Sequence, residues 1–319
     1  MVAVHRVSLC GSDYGLFNGS YGGPSVYPVR FGHEWSGEVV EKGSDVKVKI
    51  GDRVTGDCSK WCGKCPVCHE DKNLCQHIQK YGITEDGFSQ QFVVVPEKYI
   101  YVGSHSLPYE VLALTEIFSV ALHAIHRFSL KPTEPPSGPT LIIGGGALGM
   151  AIYMLLKYLY HWKNLEVYDV SPEKISYLQD RFSQEKITNS LGSLSSFDHS
   201  SYKSLYESAR YPLIFEAAGK PGALQKALES AKQRGTIVSL GMVPAASLDT
   251  APIVLKSLTV IGSIGGTGEF PEILDFFSKH VHLVQPFITA SYPYQETERA
   301  FLETQDRKKN VKVQIDFSN

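Results

Sequence analysis

No cysteine occurs beyond Cys75, although the chain runs to 319 residues and holds six. No apolar h-region follows Met1, so a secretory leader and its oxidising destination are not expected, and clustered thiols point to metal ligation over disulfides. No long lysine/arginine cluster appears, and the net charge is only -2. That argues against nucleic acid or an anionic membrane surface as the main partner. No apolar run of transmembrane length stands out, because the longest stretches are broken by Tyr, Lys or Gly. A cytoplasmic protein is the expectation. Internal repeats and low-complexity segments are also missing. What remains is 43% hydrophobic and 20% charged. That suffices for a large buried core and suits two domains better than one.

The first positive signal lies near the middle. Leu141-Ile-Ile-Gly144-Gly-Gly146-Ala147-Leu148-Gly149 puts three glycines at G-x-G-x-x-G spacing, after a strand-like run and before a long apolar segment ending near Tyr160. The first glycine permits a tight turn, the second lets backbone approach a pyrophosphate, and the third lets helix and strand pack closely. The free N–H groups of the helix start at Ala147 and Leu148 then face the phosphates. Asp169 closes the next predicted strand, 20 residues after Gly149, where its carboxylate can accept from an adenosine ribose diol. A 2′-phosphate would be repelled there, and Val170, Ser171 and Pro172 offer no arginine, so NAD is expected over NADP.

Cys62-Gly-Lys-Cys65-Pro-Val-Cys68, followed by Cys75, is the second signal. Four thiolates in one short loop can close a tetrahedron around structural Zn²⁺. Free or redox-active thiols are the rival, and a nucleic-acid-binding zinc ribbon would need two separated pairs and basic surroundings. Cys58, outside this spacing, reads as a small buried residue.

Elsewhere, Met1–Leu9, Trp35–Val40, Val46–Ile50 and Phe88–Val95 have strand character, and Gly15–Pro28 reads as a Gly/Tyr/Pro-rich loop. The first half therefore looks antiparallel β. Val111–Phe128 has helical periodicity. Glu116 sits among its apolar residues, which is costly unless it is paired, protonated or near a metal. Lys131–Pro139 looks like a connection, and Ser171-Pro172 starts a helix as N-cap and N1. The serine-rich segment 189–211 has no clear assignment. Strands alternating with helices over 140–263 predict a doubly wound parallel sheet. Helices near 270–278 and 295–304 and a strand from Val311 complete the chain.

Taken in order, Cys10-Gly-Ser12-Asp13, Gly32-His33-Glu34, Gly51-Asp-Arg-Val54, the cysteine loop, Glu116-Ile-Phe-Ser-Val-Ala-Leu-His123 and the glycine fingerprint resemble the zinc-dependent medium-chain dehydrogenase/reductase family, in its sorbitol (polyol) and threonine dehydrogenase branch. The resemblance covers nearly the whole chain. It implies an α/β protein with a GroES-like β catalytic domain (residues 1–118 and 268–319) and a Rossmann NAD-binding domain (119–267). It implies two Zn²⁺ per chain, the catalytic one in the cleft. By motif position Cys10 and His33 are its ligands, Glu34 is a direct or exchangeable ligand, and Glu116 ligates it or holds its water. A thiolate, an imidazole and a carboxylate leave an open position for a substrate oxygen. Ser12 is expected to relay the alcohol proton, and His123 to be structural.

Four departures stand out. Family members carry further strands ahead of the cysteine motif, so a β domain short of them is expected. The last gap of the cysteine loop is one residue short of the common pattern. Gly15 stands where many relatives have a histidine. Ile117-Phe118 replaces Pro-Leu. The expected activity is NAD-dependent oxidation of a secondary alcohol on a polyol, sugar alcohol or cyclitol, by a homodimer or homotetramer. The alternatives are a threonine or amino-alcohol dehydrogenase and a non-catalytic, zinc-stabilised NAD(H)-binding protein.

Overall fold

The computed structural model describes residues 1–129, 132–182, 187–188, 200–207, 209–220, 222–242 and 247–318. Lys131 and residues 189–199 of the serine-rich segment lie outside these. The chain forms two compact units, Met1–Val120 with Gly265–Asn319, and Ala121–Ile264.

The first unit is built on a seven-stranded sheet. Its path runs Ile288–Pro293, Lys312–Asp316, Val2–Ser8, Glu34–Val39, Arg53–Gly56, Ile100–Val102, and Phe92–Val93 pairs beside Val2–Ser8. All pairings are antiparallel except Ile288–Pro293 with Lys312–Asp316. Val2–Ser8 is thus an interior strand, held by its neighbours on both sides. Val2, Val4 and Val7 are buried with Trp35, Val39, Val54 and Phe88. Trp35 and Phe88 stack with centroids 4.0 Å apart. Such an offset aromatic pair adds about 1 kcal/mol beyond area burial.

Several sequence expectations change here. Gly11–Phe17 is a helix, and the expected loop begins only after it. The reason is local: Asp13, at the third helical position, turns back to accept the Cys10 N–H. Val46–Ile50 is not a strand, because the Glu97 carboxylate takes the Lys47 and Val48 N–H groups that a ladder would need. Ile288–Pro293 is a strand that Pro286 and Pro293 disguised. Tyr109–Phe128 is long and apolar enough by composition to cross a membrane, against expectation, but 67% of that window is buried inside the protein. Its Phe118 lies between Phe276, Phe277 and Phe287, which identifies it as core.

The second unit holds the parallel sheet. Its order is Ile187–Thr188, Leu165–Tyr168, Thr140–Ile143, Tyr211–Glu216, Ala231–Ser239, Thr259–Gly262. Every pairing is parallel. The chain starts at Thr140–Ile143, winds to one side, then returns and winds to the other. That reversal opens a crevice at the carboxyl ends of Thr140–Ile143 and Tyr211–Glu216, where ligands of such folds bind. Leu141, Ile143, Tyr211, Ile214, Leu228 and Ile237 form the core. Ser171 caps the helix Pro172–Phe182 as expected, with Lys174 N–H donating to its Oγ at 3.1 Å.

Candidate active site

Cys10 directly precedes the helix Gly11–Phe17, and His33 directly precedes the strand Glu34–Val39. One carboxylate ties them together. Asp13 Oδ2 accepts the Cys10 N–H at 2.8 Å, Oδ1 accepts the Gly32 N–H at 3.3 Å, and Oδ1 lies 3.2 Å from His33 Nδ1. That last contact is an ion pair, with the ring N–H poorly aligned for a hydrogen bond. Burial opposes charge on both groups, yet each outweighs it for the other: Asp13 is held below the usual carboxylate range and His33 well above the usual imidazole value. The opposite ring nitrogen, Nε2, faces Ser12 Oγ at 3.2 Å.

Ligand atoms of Cys10, His33 and Glu34 all lie within 4.8 Å of one another. Glu34 is fully buried; Oε1 is ion-paired to Lys312 Nζ, while Oε2 has no hydrogen-bond partner. Lys312 also donates to Leu9 O at 3.3 Å. Burial works against its charge, but Glu34 and then Cys10 hold it above the ordinary lysine value. A buried carboxylate oxygen left over beside a thiol and an imidazole is the donor set of an open zinc site.

Glu116 stands apart from this trio. Its Oε1 lies 3.6 Å from Cys58 Sγ, and burial, followed by the charge of Glu34, pushes its carboxyl up to about 7. Cys58 is buried as expected, and burial followed by Glu116 raises its thiol to about 12. The next residue back, Asp57, is raised to about 6, chiefly by burial and less by Glu269. The native state therefore holds its proton above the pH at which the unfolded chain releases it. Asp57 makes folding less favourable as pH rises from its ordinary 3.8 to about 6, with the full cost present above that range. Asp57→Asn is expected to raise Tm at pH 7 and to flatten the decline between pH 4 and 6 in thermal melts. An unchanged pH profile would contradict this.

Asp13 is the residue whose importance the motif did not reveal. By holding Nδ1 it orients Nε2 outward, the role a second carboxylate plays behind metal-binding histidines. Asp13→Asn is expected to lower metal affinity or turnover by about 10–100-fold without unfolding the protein. Loss of less than twofold in both would contradict that role. Its sequence signal was present, three residues after Cys10 at the start of a helix. Lys312 carried no comparable signal, being one polar residue in an alternating strand.

Cys62, Cys65, Cys68 and Cys75 converge, with all ligand atoms within 4.8 Å of one another. Sγ–Sγ distances are 3.9 Å (Cys62–Cys68), 3.4 Å (Cys65–Cys68) and 4.0 Å (Cys65–Cys75). These match the edge of about 3.8 Å of a tetrahedron with metal–sulfur bonds of about 2.3 Å. All four are free thiols. Backbone N–H groups of Lys64 and Cys65, each 3.4 Å from Cys62 Sγ, bring that thiol down to about 6 and favour the thiolate a metal requires.

In the parallel-sheet unit, Gly144 has φ +109, and a Cβ on Gly149 would lie 1.9 Å from Gly144 O. Both positions admit only glycine. Gly146 precedes the helix Ala147–Met154 with no side-chain cap, which leaves the first N–H groups, those of Ala147, Leu148 and Gly149, for a ligand. Asp169 Oδ2 accepts the Gly145 N–H at 2.9 Å, and Oδ1 accepts the Ser171 N–H at 3.0 Å. The carboxylate thus braces the glycine turn and keeps lone pairs for a further donor.

Residues 1–104 match the alcohol dehydrogenase GroES-like domain, and residues 147–279 match the zinc-binding dehydrogenase domain. With these two domains in this order, the chain belongs to the zinc-dependent medium-chain dehydrogenase/reductase family. It is 26% identical to the D-arabitol-phosphate dehydrogenase of Enterococcus avium over 99% of this chain and 89% of that protein. It is 28% identical to the sorbitol dehydrogenase of Bacillus subtilis over 94% of this chain and 84% of that one. A solved alcohol dehydrogenase from Escherichia coli CFT073, complexed with NADH, superposes with a TM-score of 0.85 at 26% identity, covering 99% of this chain and 90% of that chain.

Proposed function

We propose that the chain oxidises a secondary alcohol of a polyol, sugar alcohol or cyclitol to the ketone, passing hydride to NAD. The observation that carries this reading is the trio Cys10, His33 and Glu34, with one buried Glu34 oxygen left over. Cys10 and His33 would hold the catalytic zinc, with Glu34 as a direct or exchangeable ligand, and Glu116, whose carboxyl is raised in part by the charge of Glu34, would ligate it or hold its water. The zinc supplies Lewis acidity toward the alcohol oxygen. The Asp13 carboxylate, 3.2 Å from His33 Nδ1, would favour the ring proton on that nitrogen and leave Nε2 to a metal. The Ser12 hydroxyl takes the alcohol proton and hands it to water or a ribose hydroxyl, since Gly15 offers no further relay. Gly144, Gly146, Ala147, Leu148 and Gly149 receive the pyrophosphate, and Asp169 receives the ribose diol. The Cys62–Cys75 loop would hold a second, structural zinc.

The substrate class is supported by relatives named as polyol or polyol-phosphate dehydrogenases. A homo-oligomer is supported by Thr259–Gly262, an edge strand of the parallel sheet in which three of the four residues are exposed. A cytoplasmic setting fits the free thiols. The test is an NAD-reduction screen with zinc-loaded protein over polyols, cyclitols and amino alcohols. At least one polyol or cyclitol is expected to be oxidised, with NAD preferred over NADP. Turnover of amino alcohols alone would move the chain to the threonine-type reading. Failure of every candidate would leave only an NAD(H)-binding protein.

A further inference from the structure

We propose that Glu216 is the positioning residue for the nicotinamide half of the dinucleotide. The proposal rests on the cofactor reading above and adds to it a residue in neither the fingerprint nor the metal sites.

Glu216 ends the strand Tyr211–Glu216 and is fully buried. Its Oε1 accepts two backbone N–H groups, from Ala218 at 2.9 Å and Gly219 at 3.0 Å. Its Oε2 lies 3.5 Å from Ser239 Oγ, at the end of the neighbouring strand. One carboxylate thus clamps the turn 217–219 to the ends of two strands. The turn is tightly confined. A Cβ on Gly144 would lie 2.9 Å from Ala218 N, and a Cβ on Gly241 would lie 2.4 Å from Gly219 N and 2.6 Å from Glu216 Oε2. The segment is therefore wedged between the first glycine of the phosphate loop and the chain leaving the strand Ala231–Ser239. Ala217 N–H donates to Ile143 O, and Leu240 N–H to Glu216 O, both at 2.9 Å.

The order of the sheet says which part of the cofactor meets this turn. Asp169 follows Leu165–Tyr168 and takes the adenosine ribose. The phosphate loop follows Thr140–Ile143, the next strand. A dinucleotide lying across the carboxyl edge continues in the same direction, over Tyr211–Glu216 and Ala231–Ser239. Those are the two strand ends that Glu216 joins. An ordinary strand-end cap would use the same hydrogen bonds. The difference is that a positioning role weakens only the half of the ligand above the turn.

The test compares NADH with AMP, which lacks the nicotinamide half, by titration against the full-length protein. Glu216→Met keeps the volume and removes the acceptor. It is expected to weaken NADH by about tenfold or more while AMP stays within about twofold, because two N–H groups lose their partner and the turn is released. Glu216→Gln keeps the acceptor at Oε1 and is expected to restore most of the NADH affinity. Equal loss of AMP and NADH, or no loss of NADH, overturns the proposal. Should Glu216→Met not fold, hydrogen exchange on the unmodified protein reads the same point. NADH is expected to protect residues 216–219 and 239–241, and AMP to leave them unprotected; equal protection by both overturns it. Unmodified protein that binds AMP but not NADH overturns this proposal and the dehydrogenase reading together, and is recognisable before any variant is made.

Discussion

Replacing His33 by alanine is expected to lower kcat/KM for alcohol oxidation by about 10³-fold or more, since a metal's Lewis acidity contributes several kcal/mol and each 1.36 kcal/mol is tenfold. Zinc content should fall by one equivalent in the same variant, because the imidazole is the only nitrogen donor in the trio. NADH affinity should not change, since the glycine fingerprint and Asp169 belong to the other compact unit. A complication is that alanine strands Asp13, which is buried and relies on His33 for its charge. Removing one partner of a buried pair costs about 3–5 kcal/mol, so some loss of activity could come from unfolding. His33→Asn separates the effects: its amide can still face Asp13 but is a poor zinc ligand. Near-normal Tm with lost zinc and lost turnover is the expected pattern. A His33→Asn enzyme that keeps full zinc and is within tenfold of normal turnover would sink the catalytic-metal assignment.

The second large effect concerns the cysteine loop. Cys68→Ser is expected to release the structural zinc and lower Tm by about 10 °C or more. Zinc in such sites contributes folding energy outright, with apparent values of about 10–16 kcal/mol in isolated zinc-finger peptides, of which a lobe docked on a larger unit should lose a fraction. The disturbance should not stay within the loop. Asn73, between Cys68 and Cys75, accepts the Thr267 N–H at 2.9 Å through Oδ1, while its Nδ2 holds Asp71 Oδ1. Loss of the metal therefore loosens the segment at Gly265–Thr267, where the chain re-enters the first unit. Hydrogen exchange and metal analysis on Cys68→Ser should show one equivalent lost and faster exchange at both places. Retention of both zinc equivalents with unchanged Tm would count against the loop as a metal site.

How far these features could be read beforehand depended on how local they are. The cysteine loop and the glycine fingerprint are each contained in a few turns of chain, and spacing alone carries their chemistry. Ser171-Pro172 and the alternation over 140–263 were similarly plain. Features spread over distant segments were not. Lys312 gains meaning only from Glu34, which it meets across the sheet. Glu116 read as isolated among apolar residues, and its neighbour proved to be Cys58, whose thiol had no motif. Val46–Ile50 alternates like a strand, but Glu97 takes its donors first. Glu216 sits in a strand end that packs against two glycines, Gly144 and Gly241, far apart in sequence.

The pairing of Glu34 with Lys312 also has a consequence for the order in which the protein is made. Cys62 and Cys75 are 13 residues apart, whereas Glu34 waits for a partner 278 residues downstream. Closing so long a loop comes late for entropic reasons, and it cannot begin before residue 312 has been synthesised. On the ribosome, then, the cysteine loop is able to take up its ion while the chain is still growing. The Cys10–His33–Glu34 pocket, with an uncompensated carboxylate at its centre, cannot reach its finished form until synthesis is nearly over. The cysteine loop can therefore be complete before the Cys10–His33–Glu34 pocket is, because only the pocket waits for residue 312.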